Sequence, residues 1–172
     1  MDALRSTFWE GKALLIIEII LLCALFFLLC YLGTGTDEKN LRNYSSYPDA
    51  VQARVREINA YWGKWKETGK FAVWMANFVL FVVLFLPFGF FIREHDWLHN
   101  VISLFLLGQS LNVFDLIVID LLWWRNTERI RFSKIPEKAL YQDPKKHIAA
   151  FLRAIVLYLV VALVDGYLLT LV

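Results

Sequence analysis

Residues 71–92 read FAVWMANFVLFVVLFLPFGFFI, an apolar run that contains no charged side chain. An α-helix needs about 20 mainly apolar residues to cross the hydrocarbon core of a bilayer. This run meets that length, and an ordinary soluble domain has no means of burying all sides of such a helix. The stretch therefore predicts a membrane-spanning helix.

Three more segments are long and apolar enough to cross a membrane: residues 13–32, 97–124 and 148–172. Only four residues, 93–96, separate 71–92 from 97–124, so these two helices are predicted to form an antiparallel hairpin. The first segment, 13–32, exceeds the apolar region of a signal peptide and no Ala-x-Ala pattern follows it, so we expect it to be retained.

The composition agrees with four crossings. Hydrophobic residues make up 59% of the 172 residues, and the mean hydropathy is +0.52. A soluble domain is usually about 45–50% apolar, so much of this surface is predicted to face lipid. The predicted fold class is an all-α integral membrane protein, with residues 1–172 forming a single membrane domain of about four helices.

An apolar stripe lies in the first long polar stretch, residues 33–70. Spacings of three and four residues are typical of one face of a helix and predict an amphipathic helix over about 49–68. Two interpretations are equally open: the helix lies on the membrane surface, or its stripe packs on the protein's own bundle. The stripe consists of Val51, Val55, Ile58, Trp62 and Trp65.

Basic residues predict the orientation. With four crossings, the two long polar stretches, 33–70 and 125–147, share one side, and the side richer in Lys and Arg is usually cytoplasmic. We therefore expect cytoplasmic long loops and both termini outside, in a plasma or inner membrane, although Arg5 and Lys12 near the first helix oppose this. The basic residues of the loops are Lys39, Arg42, Arg54, Arg56, Lys64, Lys66, Lys70, Arg125, Arg129, Arg131, Lys134, Lys138, Lys145 and Lys146.

These basic loops also predict the partners. Lys and Arg beside membrane helices favour contact with anionic lipid headgroups, and nucleic acid is not an expected partner. The sequence contains neither a P-loop nor a GxGxxG pattern, so nucleotide chemistry is not predicted.

Four acidic side chains lie inside the predicted helices, where ionisable groups are costly and need an explanation. Glu18 and Asp165 are predicted to form an outer polar cluster, near His95, Asp96 and His99. Asp115 and Asp120 lie deeper, towards the cytoplasmic end, and Asp120 is expected to pair locally with Arg125.

A polar stripe runs along the third predicted helix. At 100° per residue, Gln109, Asn112, Asp115 and Asp120 share one side. Such a stripe faces protein or water rather than lipid. It predicts either a lined path for a proton or cation, or hydrogen bonds that hold the helices together.

The pentapeptide His95-Asp96-Trp97-Leu98-His99 resembles the HExxH zinc motif of metalloproteases, with Asp in place of Glu. The resemblance covers these five residues only. On a helix, two His four residues apart face the same way and can bind one metal ion, with zinc the expected candidate. The alternative is a polar turn where the hairpin meets water.

Three functional classes fit these patterns. We favour a subunit of a transporter or channel whose polar stripe lines a proton or cation path. The alternative is a non-catalytic accessory, assembly or immunity membrane protein, and the second alternative is a metal-dependent membrane enzyme using His95 and His99. With so few crossings, a homo-oligomer or a larger membrane complex is the expected form.

Overall fold

The computed structural model of the chain describes residues 2–65 and 69–172. Lys66, used above to predict the orientation, lies outside the described residues, as do the side chains of Arg5, Lys12 and Lys70. Within the described residues every named element is helical.

The described residues form six α-helices. They are α1 (Asp2–Leu32), α2 (Asp37–Arg42), α3 (Asp49–Glu57), α4 (Lys70–Ile92), α5 (Trp97–Phe114) and α6 (Lys145–Leu169), and short 3₁₀ turns occupy Tyr44–Ser46, Asn59–Tyr61 and Lys138–Tyr141. Helix α5 continues without a break as a π-helix, Asp115–Trp124.

Four helices of the described chain are long and apolar enough to cross a membrane. They contain the spans Ala13–Leu32, Phe71–Ile92, Trp97–Trp124 and Lys138–Leu169. The predicted all-helical class and the four long apolar helices are therefore confirmed. The last helix ends at Leu169, three residues before the predicted end.

The long helices pack into a bundle around the pair formed by α5 and α6. Its core includes Phe85, Leu104, Leu107, Leu111 and Val161, all fully buried. Two glycines allow close approach of these helices. A Cβ at Gly108 would lie 2.9 Å from Cβ of Tyr158, and one at Gly166 would lie 2.6 Å from Cγ2 of Val101. Small residues at helix contacts are typical of membrane bundles.

The two long polar stretches pack together at one end of the bundle. We call residues 33–65 and 125–144 the cap. Its apolar core is separate from that of the bundle and also includes Trp124 from the end of the π-helix. The cap residues of this core are Leu41, Tyr44, Tyr47, Val51, Val55, Tyr61, Ile130, Phe132, Ile135 and Tyr141. The packing of the two stretches against each other agrees with the prediction that they share one side of the membrane. A second core was not predicted.

One arginine joins the cap to the bundle. The Arg129 guanidinium lies 3.8 Å from the Tyr31 ring centroid, and its Nη2 donates to the carbonyl oxygens of Tyr31 and Thr34 at 3.1 Å each. The Tyr31 carbonyl belongs to the last turn of α1 and the Thr34 carbonyl lies two residues beyond the helix, so the guanidinium binds the chain where α1 ends. Gly35 leaves room for the guanidinium, because a Cβ there would lie 2.7 Å from Nη2.

The predicted amphipathic helix over 49–68 is wrong in length. Helix α3 ends at Glu57, a 3₁₀ turn follows, and residues 66–68 lie outside the described residues. Val51 and Val55 are completely buried in the cap core, whereas Trp62 is 62% exposed. The first half of the stripe therefore packs on the protein itself, against the cap rather than the bundle.

Candidate functional site

A buried polar contact between two of the long helices joins Asp120 to His147. Asp120 lies on the π-helix and His147 in the first turn of α6, and packing of α5 on α6 brings them together. The distance from Oδ1 of Asp120 to Nδ1 of His147 is 2.8 Å, with side chains only 14% and 7% exposed. A carboxylate that contacts Nδ1 in this way holds the imidazole in a fixed orientation.

The expected pairing of Asp120 with Arg125 is wrong. The carboxylate contacts His147 instead, because α6 begins beside the π-helix and offers a ring nitrogen at hydrogen-bond distance. Arg125 contributes its carbonyl oxygen, which accepts from Nε2 of Gln142 at 2.9 Å.

His147 is a site residue that the sequence analysis missed. It lies at the end of the basic stretch 125–147 and was grouped with the loop rather than with α6. A usable signal was present, since Pro144 precedes the helix and Pro favours helix starts, which places residue 147 in the first turn. The ring of His147 packs edge-on against Trp124, with centroids 4.8 Å apart, and its Nε2 has no hydrogen-bond partner among the described residues.

Two residues of the predicted polar stripe face different helices: Asn112 contacts α6 and Gln109 faces α1. Nδ2 of Asn112 donates to the Phe151 carbonyl of α6 at 3.2 Å and lies 3.4 Å from Oε1 of Gln109. Gln109 faces α1, and its Nε2 is buried without a partner among the described residues. Asn112 therefore makes the interhelical hydrogen bond that one of the two interpretations expected.

Asp115 begins the π-helix and is half-buried. The backbone hydrogen bonds of a π-helix connect residues five apart. Asp115 and Asp120 are five residues apart and thus lie about one turn from each other on similar sides. Asp115 is within electrostatic range of both Asp120 and His147. The π-helix, which residue spacing did not indicate, places the two carboxylates about one turn apart.

The predicted outer cluster is not joined by a hydrogen bond. Glu18 on α1 and Asp165 on α6 are both buried, at 4% and 0% exposure. None of their four carboxylate oxygens has a hydrogen-bond partner among the described residues. An unpaired ionised carboxylate is costly to bury, so each group requires a bound proton, water or cation. Both lie in the half of the bundle away from the cap.

The helical spacing that suggested a zinc site is absent. Helix α5 begins at Trp97, so His95 precedes it and is exposed, while Asp96 caps it by accepting from the backbone N–H groups of Leu98 and His99. Nε2 of His99 lies 3.6 Å from Oε1 of Glu94. No group of three or more His, Cys, Asp or Glu in the described part of the chain is arranged to hold a metal ion. A zinc site stays a prediction, now without its structural motivation.

A groove of about 1010 Å³ lies between α1 and α5. The groove is mainly apolar and is open to the outer surface of the bundle. Its lining consists of Ile19, Ile20, Cys23, Ala24, Phe27, Leu106, Gln109, Ser110, Val113, Phe114, Ile117 and Val118.

The cap contains a smaller pocket of about 440 Å³ beside Asp37, Tyr61, Lys64 and Lys134. The Asp37 carboxylate accepts from the backbone N–H of Ser133 at 2.8 Å, from the Ser133 hydroxyl at 2.5 Å and from the Tyr61 hydroxyl at 2.6 Å. Partial burial acts to raise the pKa of Asp37, but these hydrogen bonds from Ser133 and Tyr61 outweigh it and lower that pKa below its usual value. Asp37 is thus a structural anchor between the two stretches of the cap.

Comparison of the chain with protein-family models, with curated proteins and with solved structures found no match.

Proposed function

We propose that the chain is an integral membrane protein that serves as a subunit of a transporter or channel, with a proton or cation path along α5. The observation that carries this proposal is the buried contact between Asp120 and His147. Asp120 also lies about one turn from Asp115 on a π-helix that continues a long apolar helix. Ionisable groups inside membrane helices commonly belong to ion paths and proton relays.

The membrane location is supported by the outward faces of the four long helices. Large apolar side chains such as Ile20, Val83, Leu122 and Val156 are more than half exposed along the bundle. Such a continuous apolar exterior is costly in water and suits the lipid core of a bilayer. The basic residues of the cap favour the cytoplasmic side of a plasma or inner membrane, next to anionic lipid headgroups.

The path that we propose runs between the two ends of the bundle. Away from the cap, Glu18 and Asp165 are buried groups that need a bound proton, water or cation. Asp115 lies further along α5, and Asp120 with His147 completes the series next to the cap. The polar groups thus occupy successive levels of the bundle, as an ion path requires.

Asp115 provides the test of this function. Asp115→Asn preserves the shape of the side chain but removes its charge, so a path that uses its carboxylate should lose proton or cation flux in proteoliposomes. Thermal unfolding in detergent should stay close to wild type. Asn126→Asp, at an exposed position beyond the π-helix, serves as a control and should not change the flux. Wild-type flux from Asp115→Asn would contradict the path.

An accessory or assembly protein is the second candidate. It is favoured by the hydrogen bond from Asn112 to Phe151, which only holds helices together, and by the apolar groove between α1 and α5, which offers a surface to a neighbouring helix. In that case the wild-type protein should carry no ion under any gradient and should co-purify with a second copy or a larger membrane complex.

A further inference from the structure

We infer that the ion carried is a proton and that Asp120 and His147 together exchange it with the cap side of the path. This inference rests on the function proposed above and adds the identity of the ion and of the residue that delivers it.

The distance between the two groups is that of a hydrogen bond rather than that of two ligands of one metal ion. Nδ1 of His147 and Oδ1 of Asp120 are 2.8 Å apart. A metal ion such as zinc bound by both would sit roughly 2 Å from each atom and would force them further apart. A hydrogen atom fits this gap, and the contact is therefore suited to passing a proton.

The second ring nitrogen of His147, Nε2, is the other atom that a proton relay through this side chain requires. Nε2 of His147 has no hydrogen-bond partner among the described residues and is buried beneath Trp124. An imidazole can accept a proton at one ring nitrogen while it releases one from the other. The side chain is thus bonded at Nδ1 and without a partner at Nε2, which leaves that nitrogen able to bind a second proton.

The transfer can be written with its protons balanced. The resting pair is a neutral imidazole with its proton on Nδ1, donated to the Asp120 carboxylate. A proton from the cap side binds Nε2, and the Nδ1 proton passes to Asp120, which becomes a neutral acid. Asp120 then releases its proton towards Asp115. Rotation of the ring then turns Nδ1 towards the cap side, where Nε2 loses its proton to water and Nδ1 takes one up from the same side. Rotation back restores the first tautomer, so the cap side has lost one proton and Asp115 has gained it.

Several titratable or charged groups lie near the pair formed by Asp120 and His147. Asp115 lies on the same π-helix, and Cys30 of α1 is within electrostatic range of Asp120. Lys146, next to His147 in sequence, is held by the Asp49 carboxylate at 2.7 Å. The titratable and charged groups around the pair are therefore Asp115, Cys30, Arg125, Lys146 and Asp49.

Proton uptake into proteoliposomes tests the inference. With a pH-sensitive dye inside and a potassium diffusion potential as the driving force, wild type should take up protons, and matched vesicles should show no comparable Na⁺ flux. His147→Gln retains a donor near Asp120 but cannot accept a second proton, so it should slow uptake by about tenfold or more. Lys145→Gln changes an exposed side chain two residues away and should behave as wild type.

The possible outcomes separate the two proposals. Proton uptake at the wild-type rate by His147→Gln, or Na⁺ flux as fast as proton flux, would overturn the inference and leave the path in place. Absence of any ion flux from wild type would overturn the proposed function and the inference with it.

A second measurement covers the case in which His147→Gln does not fold. In a variant with His95→Ala and His99→Ala, His147 is the only histidine. The ring N–H signal of His147 in lipid should be lost rapidly on transfer to D₂O if the ring exchanges protons with the medium. A ring N–H that persists as long as the protected backbone N–H groups of α6 would overturn the inference.

Discussion

Nδ1 of His147 lies 2.8 Å from Oδ1 of Asp120, across the boundary between α6 and the π-helical continuation of α5. The contact lies where the apolar bundle meets the cap, because Trp124, the last residue of the π-helix, belongs to the cap core. It therefore connects the groups inside the bundle to the polar end of the molecule.

The first prediction concerns the stability that this pair provides. His147→Ala leaves the Asp120 carboxylate buried without its partner, which should cost about 3 kcal/mol of unfolding free energy. Removing both partners, as Asp120→Ala with His147→Ala, should cost clearly less than the sum of the single changes. Thermal unfolding in detergent measures all three, and additive single effects would show that the two side chains do not interact.

The second prediction concerns Arg129, which fastens the cap to the end of α1. Arg129→Ala removes two charge-assisted hydrogen bonds and the contact with Tyr31, and should destabilise the cap by about 1.5–3 kcal/mol. Arg42→Ala is the control, since its pair with Glu38 is strongly exposed and should contribute less than about 1 kcal/mol. Limited proteolysis within residues 33–65 reports the difference. Equal cleavage of the two variants would mean that Arg129 does not fasten the cap.

The third prediction concerns the pH dependence of the cap. Because the folded-state pKa of Asp37 is lowered, the stability that this carboxylate contributes is present at neutral pH. It begins to be lost as the pH falls below 3.8, the usual pKa of an aspartate, and is fully lost below the lowered folded-state pKa. Asp37→Asn should destabilise the cap at pH 7 by about 1–2 kcal/mol and should remove much of its acid sensitivity.

The measurement is proteolysis of the cap by an acid-stable protease between about pH 3 and pH 7. Asp143→Asn, at a partly exposed carboxylate near the start of α6, is the control and should keep the wild-type profile. An unchanged profile in Asp37→Asn would contradict the anchoring role of Asp37.

The long helices were predictable because their evidence is local. Residues 71–92 are apolar on every side, and no tertiary contact is needed to recognise such a run. The cap was not predictable in the same way. Tyr47, Phe132 and Tyr141 are separated by polar residues without a regular spacing, and they form a core only when two distant stretches meet.

The candidate site was predicted in part for the same reason. Asp115 and Asp120 were recognisable because charge is rare in an apolar helix, whereas the partner of Asp120 comes from another helix. His95 and His99 would face the same way only if both lay on one helix, but α5 begins at Trp97 and does not include His95. Sequence indicates which groups are costly, but tertiary packing decides what they contact.

The proposed ion path depends most directly on four membrane crossings with the cap on one side of the membrane. Cysteine labelling in intact cells tests this arrangement. In a background with Cys23→Ala and Cys30→Ala, single cysteines replace Glu137 in the cap, Glu94 in the turn before α5 and Val172 at the end of the chain, all exposed positions. An impermeant thiol reagent should label positions 94 and 172 and spare 137 until the cells are opened. Labelling of 137 together with 94 in intact cells would place both ends of the bundle on one side and contradict the four crossings.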